Sequence, residues 1–397
     1  MKPLDSFRVL DLTIVLAGPF CCHQLAHLGA DVIKIEVPGS GDLARQLGAD
    51  PELNEIGMGA SFLAQNAGKR SLTLNLKHPE GREIFFKLVE QADVVVENFR
   101  PGVMERLGLG FEKLKEINPC IVYCAISGFG QDGPMKDFPA YDQIIQGLSG
   151  VMSVTGNYES GPLRVGFPLA DTIGGITAAM GITASLSNPE REAVFIDVSM
   201  LESTMATMGW VISNYLTSAV DQMRMGNENF TSAPSGTFQT GDGLLNIAAN
   251  KQEQFEILCK LLKLEDLLHH PDFKTRELRK TNREILKTKL ESELKNDDAK
   301  FWSELLNKAG VPAGEVLAVP DALKLDQIQQ REFLETFHGV PGIESSLRVV
   351  KTGIQLNGKT LTVDRPPPRL GEDTVAILKD CGYEEDEIEK LQAGKII

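Results

Sequence analysis

The sequence predicts an α/β protein: a large domain built on a parallel sheet, with a smaller, mainly helical α+β domain attached. Three observations predict it. Apolar, strand-like runs at 8–13, 31–36, 71–76, 93–98 and 121–126 alternate with helical stretches through the first third of the chain. That rhythm is the mark of strand–helix–strand units in a parallel sheet. From Phe255 to Trp302 the character changes to helical, charged and rich in Leu and Lys. The turn-rich stretch from Gly226 to Gly243 reads as the crossing between the two.

Composition narrows the function classes. The 397 residues suffice for two domains, with 42% hydrophobic and 24% charged residues. Lys and Arg number 40 against 55 Asp and Glu, a net charge of −15. This argues against nucleic-acid binding, which needs a basic footprint. The six cysteines show neither a metal-knuckle spacing nor a secreted disulfide frame, so no metal is expected. The stretch Met1-Lys2-Pro3-Leu4-Asp5 lacks the apolar core of a signal peptide, and no apolar run approaches a membrane span. The expectation is a cytoplasmic protein with no membrane partner.

The elements follow in order. Arg8 to Thr13 is a strand, and Ala17-Gly18-Pro19 opens a helix running to about His27, with proline suited to the first turn. Asp31 to Glu36 is a buried strand. A dinucleotide-binding unit would need Gly-x-Gly-x-x-Gly after the first strand, and it is missing. Residues 45–65 are irregular, and 66–70 form a polar, basic break before the strand from Ser71. Pro79 to about Gln91 is helical. The strand at Asp93 leads through Arg100-Pro101-Gly102 to a helix holding Arg106. Ligands of open α/β sheets bind beyond the carboxyl ends of strands, so Lys77 and Arg106 are candidate phosphate contacts; solvated surface charges are the alternative. Ala140 to Gly150 is a helix with Tyr141 and Asp142 at its start. Ala193 to Ser199 is a strand, and Met200 to Ser218 one long apolar helix. Val349 to Val363 is strand-like, and acidic helices near 372–380 and 384–393 close the chain.

One stretch carries the candidate chemistry. Between Val165 and Thr177 a single carboxylate, Asp171, stands between an apolar run and Gly174-Gly175. A helix follows to Leu186, with Ile173, Ile176, Met180 and Ala184 as its apolar positions. Asp171 therefore sits where a helix begins, where unpaired N–H groups favour a negative charge. The glycines allow a ligand close to the backbone. The alternative reading is an N-cap aspartate with glycines for packing.

Several blocks resemble the family III CoA-transferases, the CaiB–BaiF family, in a formyl-CoA transferase-like pattern. They are Val9-Leu10-Asp11-Leu12-Thr13 with Ala17-Gly18-Pro19, Leu28 to Glu36, Lys69-Arg70-Ser71 and Val96 to Gly102. Gly128-Phe129-Gly130, Asp197-Val198-Ser199 with Leu201-Glu202, Ala309 to Gly314, Pro367 to Gly371 and Gly382-Tyr383 match as well. The resemblance spans the chain. It implies a Rossmann-like, CoA-binding large domain over 1–220, a small domain over 225–325, and a return to the large domain over 330–397. It also implies an interlocked homodimer of two threaded rings.

By position Asp171 matches the family's nucleophile. It would attack an acyl-CoA, with succinyl-CoA or a similar short-chain thioester as donor and a carboxylic acid as acceptor. An aspartyl anhydride and then an aspartyl–CoA thioester would form. This needs an ionised aspartate at neutral pH, which the helix N-terminus would favour, and a dry site. The CoA thioester is substrate; no permanently bound cofactor is implied. CoA contacts carry over to Ala17, Lys77, Asn98, Phe99, Arg106, Ala140, Tyr141 and Asp142. Val37 departs from a position that is basic in some members. Leu16 stands where oxalate-using members carry glutamine, which argues against formate–oxalate exchange. The stretch Gln239 to Gly243 also lacks the four-glycine loop of those members. An α-methylacyl-CoA racemase of the same family would carry a histidine where Tyr141 stands. A non-catalytic acyl-CoA-binding protein is the other alternative.

Overall fold

Apolar runs buried on both faces dictate a sheet covered by helices on each side. The computed structural model describes residues 2–340 and 342–397. Its strands β1 (Arg8–Asp11), β2 (Asp31–Glu36), β3 (Lys69–Thr73), β4 (Val94–Glu97), β5 (Val122–Ser127) and β6 (Val194–Ser199) form one sheet in the order β3-β2-β1-β4-β5-β6. Every neighbouring pair is parallel, as the alternating pattern predicts. The longer helices of the first half are α1 (Ala17–His27), α2 (Pro79–Glu90), α3 (Phe111–Ile117), α4 (Asp142–Leu148), α5 (Leu169–Leu186), α6 (Met200–Thr207) and α7 (Gly209–Ser218). Successive strand residues point to opposite faces. Val9, Val96 and Cys124 pack with Cys21 and Leu25 of α1, and Leu10, Val95 and Tyr123 with Ile84 and Phe85 of α2. The strand order reverses between β1 and β4, which opens a crevice at the carboxyl edge.

The chain divides into two compact units. The first comprises residues up to Val151, Arg164–Ile212 and Gln327–Ile397 and holds the parallel sheet. The second takes Met152–Leu163 and Ser213–Asp326. Its antiparallel sheet orders β7 (Ser235–Gln239), β8 (Leu244–Ala248) and β9 (Ala313–Glu315). Helices α8 (Gln252–Leu261), α9 (Arg283–Leu294) and α10 (Ala299–Lys308) share its core through Phe255, Leu290 and Trp302. The segments 152–163 and 213–224 belong to this unit, whereas the resemblance implies a large domain running to residue 220. Backbone and arginine bonds hold them together: Gly226 N–H donates to the Gly156 carbonyl, and Arg224 reaches the Ser153 and Asn157 carbonyls. The chain then closes with α11 (Thr374–Asp380) and α12 (Glu385–Ala393) in the first unit.

Other expectations are corrected. The turn-rich crossing contains strand β7. Residues 45–65 are not irregular throughout, since short helices occupy Leu43–Gln46, Pro51–Glu55 and Ala60–Leu63. The long helix from Met200 breaks at Met208 into α6 and α7. The run from Val349 to Val363 splits into short antiparallel pieces, with Leu347–Val350 pairing to Leu334–Phe337. The basic break before β3 is partly strand: Lys69 is fully buried and donates to Asp11 Oδ2 at 2.8 Å and to the Pro19 carbonyl at 2.9 Å. A lysine can occupy a core strand only because that carboxylate pairs with it. Helix α5 faces the opposite way from its apolar pattern. Ile176, Met180 and Ala184 are exposed, while Ala170, Gly174, Gly175, Ala178 and Ile182 are buried. Small residues go inward because α1 passes close: a Cβ on Gly175 would stand 2.5 Å from the Ala17 carbonyl oxygen. Contrary to expectation, α5 is long and apolar enough to cross a membrane by length and composition. Here it serves as a packing helix against α1 and α6.

Candidate active site

A cavity of about 650 Å³ opens at the carboxyl ends of β1 to β4. Leu12 and Ile14 follow β1, Val37 follows β2, Lys77 lies beyond β3, and Phe99 follows β4. Its walls are mainly apolar. Phe99 is set by the Glu97 carboxylate, which accepts the Phe99 N–H at 2.7 Å. Burial pushes the Glu97 carboxyl up to about 8. The cationic residues lining the cavity are Lys77 and Lys395.

The loop from β1 into α1 is held in an unusual form. Val15 has φ +65°, a left-handed conformation that costs a β-branched residue energy. Asn98 spends its side-chain amide on Ile14, accepting its N–H and donating to its carbonyl, both at 2.8 Å. Asp42 Oδ1 accepts the Val15 N–H at 2.9 Å. The Asp42 carboxylate lies 3.0 Å from Lys34, both fully buried, and Lys34 also donates to the Thr13 carbonyl. Asp11 accepts the Thr13 N–H and pairs with Lys69. Burial raises the Asp11 carboxyl, but Lys69 and Lys34 more than offset this and hold it below its usual range. The strained turn thus rests on two buried ion pairs and an amide clamp. It delivers Ala17 onto Gly175, one helical turn from Asp171.

Asp171 occupies the first turn of α5 but does not cap it. The cap position is Pro168, with no side-chain cap bond. The cap comes from Asp142 at the start of α4, whose Oδ1 accepts the Ala170 N–H at 2.8 Å and the Asp171 N–H at 3.4 Å. Its Oδ2 accepts from Gln146 Nε2 at 2.7 Å. Gln146 is fully buried and also ties down the approach to α5, donating to the Phe167 carbonyl and accepting the Val165 N–H. The Asp171 carboxyl has no hydrogen-bond or ion-pair partner among the described residues, and it is partly open to solvent. Burial, then the charge of Asp142, push it up to about 7. The expected ionisation by the helix N-terminus is therefore outweighed: near neutrality the group is about half protonated.

Comparison with known proteins decides the family. The model for "CoA-transferase family III" matches residues 4–374. The chain belongs to CoA-transferase family III. The succinyl-CoA:glutarate CoA-transferase of Mus musculus is 36% identical over 401 residues, covering 100% of this chain and 91% of the relative. The acetyl-CoA:oxalate CoA-transferase of Acetobacter aceti is 38% identical over 384 residues, covering 95% of each. A solved CAIB/BAIF family protein from Brucella suis superposes with a TM-score of 0.84 at 34% identity, covering 96% of this chain and 99% of that one. This family III protein is a CoA-transferase, with CoA thioesters and carboxylates as its substrates.

The structure does not gather every candidate of this CoA-transferase into one place. Lys77 and Phe99 line the cavity, which Asp171 does not. Ala17 joins the two regions through Gly175. Asn98 and Asp142 direct their polar atoms at backbone and Gln146. Arg106 lines a separate depression with Gln131, Lys136 and Asp137. Ala140 packs against Gly128, and Tyr141 projects into solvent. The sequence reading missed Asp42, Gln146 and Lys395. Only Gln146 left a trace, as the i+4 partner of Asp142 on one helix face. Among the described residues no group of three or more His, Cys, Asp or Glu could hold a metal.

Proposed function

We propose that this enzyme moves CoA from a short-chain acyl-CoA of the succinyl-CoA kind to a carboxylic acid, with Asp171 as nucleophile. The observation that carries this is a partly open carboxyl with no partner among the described residues, on the small-residue helix of a family III chain. Asp171 attacks the thioester carbonyl, releasing CoA thiolate and leaving an aspartyl–acyl anhydride. The thiolate attacks the aspartyl carbonyl, expelling the donor acid and leaving an aspartyl–CoA thioester. The acceptor carboxylate then attacks that thioester, and the thiolate returned attacks the new acyl carbonyl, regenerating Asp171. The thioester bond energy is conserved throughout. A proton affinity raised by burial and Asp142 makes the ionised carboxylate a stronger nucleophile than an exposed one.

In this reading CoA lies along the carboxyl edge of the sheet. Lys77 and Phe99 meet its nucleotide end, Ala17 lies near the thioester, and Arg106, Ala140 and Tyr141 contact it outside the cavity. Asn98 and Asp142 position backbone. The relatives named for succinyl-CoA and glutarate, together with Leu16, support a donor and acceptor of that size. The site is completed in an interlocked homodimer, a reading supported by exposed Ile176, Met180, Met205 and Trp210 in the single chain. Free thiols at all six cysteines support a cytoplasmic setting. The test is Asp171→Asn assayed with succinyl-CoA and glutarate, followed by hydroxylamine trapping in the wild type. We expect no transfer in the variant and label on the Asp171 peptide. Transfer by the variant, or label elsewhere, overturns the reading.

A further inference from the structure

We infer that Lys395, together with Lys77, holds the 3′-phosphate of the CoA nucleotide; this rests on the CoA reading above. Glu36 ends β2, where open sheets of this order meet a ribose. Its carboxylate is already spent on Arg45, which donates to Oε1 at 2.8 Å and Oε2 at 2.7 Å, and on Ser71. Val37 follows, exposed and uncharged. Asp42, the other carboxylate side chain on the cavity wall, is paired with Lys34. Of the charged side chains on the wall, Lys77 and Lys395 are the two not paired with an opposite charge among the described residues. Neither ammonium has a hydrogen-bond or ion-pair partner among the described residues, and both line the cavity.

The placement of Lys395 is built by the fold. It follows α12 in a left-handed conformation, φ +54°, with its N–H on the Gln392 carbonyl at 2.9 Å. Ile396 turns back into the core, and its carbonyl accepts the Asn75 N–H at 2.7 Å. The Asn75 side-chain oxygen accepts the Lys77 N–H at 3.1 Å. One residue therefore ties the backbone beside Lys395 to that of Lys77, and both lysines line the same cavity. A phosphomonoester is close to dianionic at neutral pH and suits two such donors.

The test compares CoA with 3′-dephospho-CoA by titration calorimetry on the whole protein at low salt. We expect the wild type to bind CoA at least tenfold more tightly. In Lys395→Ala and Lys395→Gln the preference falls to threefold or less, while affinity for 3′-dephospho-CoA holds. Lys395→Arg keeps the preference. An unchanged preference in Lys395→Ala, an equal loss for both ligands, or an arginine variant as weak as alanine overturns the assignment. A wild type that binds neither ligand would instead overturn the CoA reading itself.

Discussion

In the proposed reaction, Asp171 and Asp142 divide the work between two carboxylates. Asp142 is held by three donors, so it stays in place as a cap and a fixed charge. The Asp171 carboxyl has no donor among the described residues, so burial and its neighbour set its proton affinity. The kcat/KM of the free enzyme should therefore rise with pH through an acid limb near 7. Asp142→Asn keeps an acceptor for the cap but removes the charge, and should move that limb to lower pH. A limb that stays put in the variant would contradict the coupling. Stability follows the same group. With its carboxyl raised to about 7 from 3.8, the folded state holds more protons than the unfolded chain between those values. Wild-type stability from this group is thus full below about 4 and falls as pH rises toward 7. Asp171→Asn should lose activity by at least about 1,000-fold. It should nevertheless be more stable than wild type at pH 8, by about 2–4 kcal/mol. At pH 4 the two should match, and denaturant titration at both pH values checks this.

The β1–α1 turn and helix α5 are the elements that bring binding and chemistry together. Asn98 clamps Ile14 beside the strained Val15, and Asp42 holds the next amide. A residue acting through this turn should matter whatever the length of the thioester. Asn98→Ala is expected to lower kcat/KM by about tenfold or more, equally for an acyl-CoA and for its pantetheine analogue. A defect confined to the full acyl-CoA would mean direct nucleotide contact instead. Gly175 marks the seam between α1 and α5. A methyl group there would meet the Ala17 carbonyl oxygen at 2.5 Å, and neither helix backbone can yield cheaply. Gly175→Ala should cost about 1–3 kcal/mol in stability, measured by thermal unfolding, together with a loss of turnover.

At the scale of the whole molecule, the proposed second copy of the chain would cover the exposed apolar side chains of α5 to α7. If the subunits are threaded through each other, the dimer persists at nanomolar concentration in sedimentation velocity. A monomer under those conditions would refute the interlocked assembly. The sheet was legible in the sequence because parallel strands buried on both faces are continuous apolar runs, and their alternation with helices sets the topology. Asp171 was legible as an isolated carboxylate beside a glycine pair. The direction of α5 was not, because its large apolar residues at helical spacing pointed to one face, whereas the inward face is decided by how near α1 approaches. Lys69 read as part of a polar, basic break, since only the folded sheet brings Asp11 against it across 58 positions of chain. Asp42 and Lys395 carry no local pattern at all. The sequence by itself determined the parallel strands, the family and the candidate carboxylate, since each is written in local order and spacing. The tertiary structure alone decided which charges are spent on one another and which remain for a ligand, because pairing depends on distance in space.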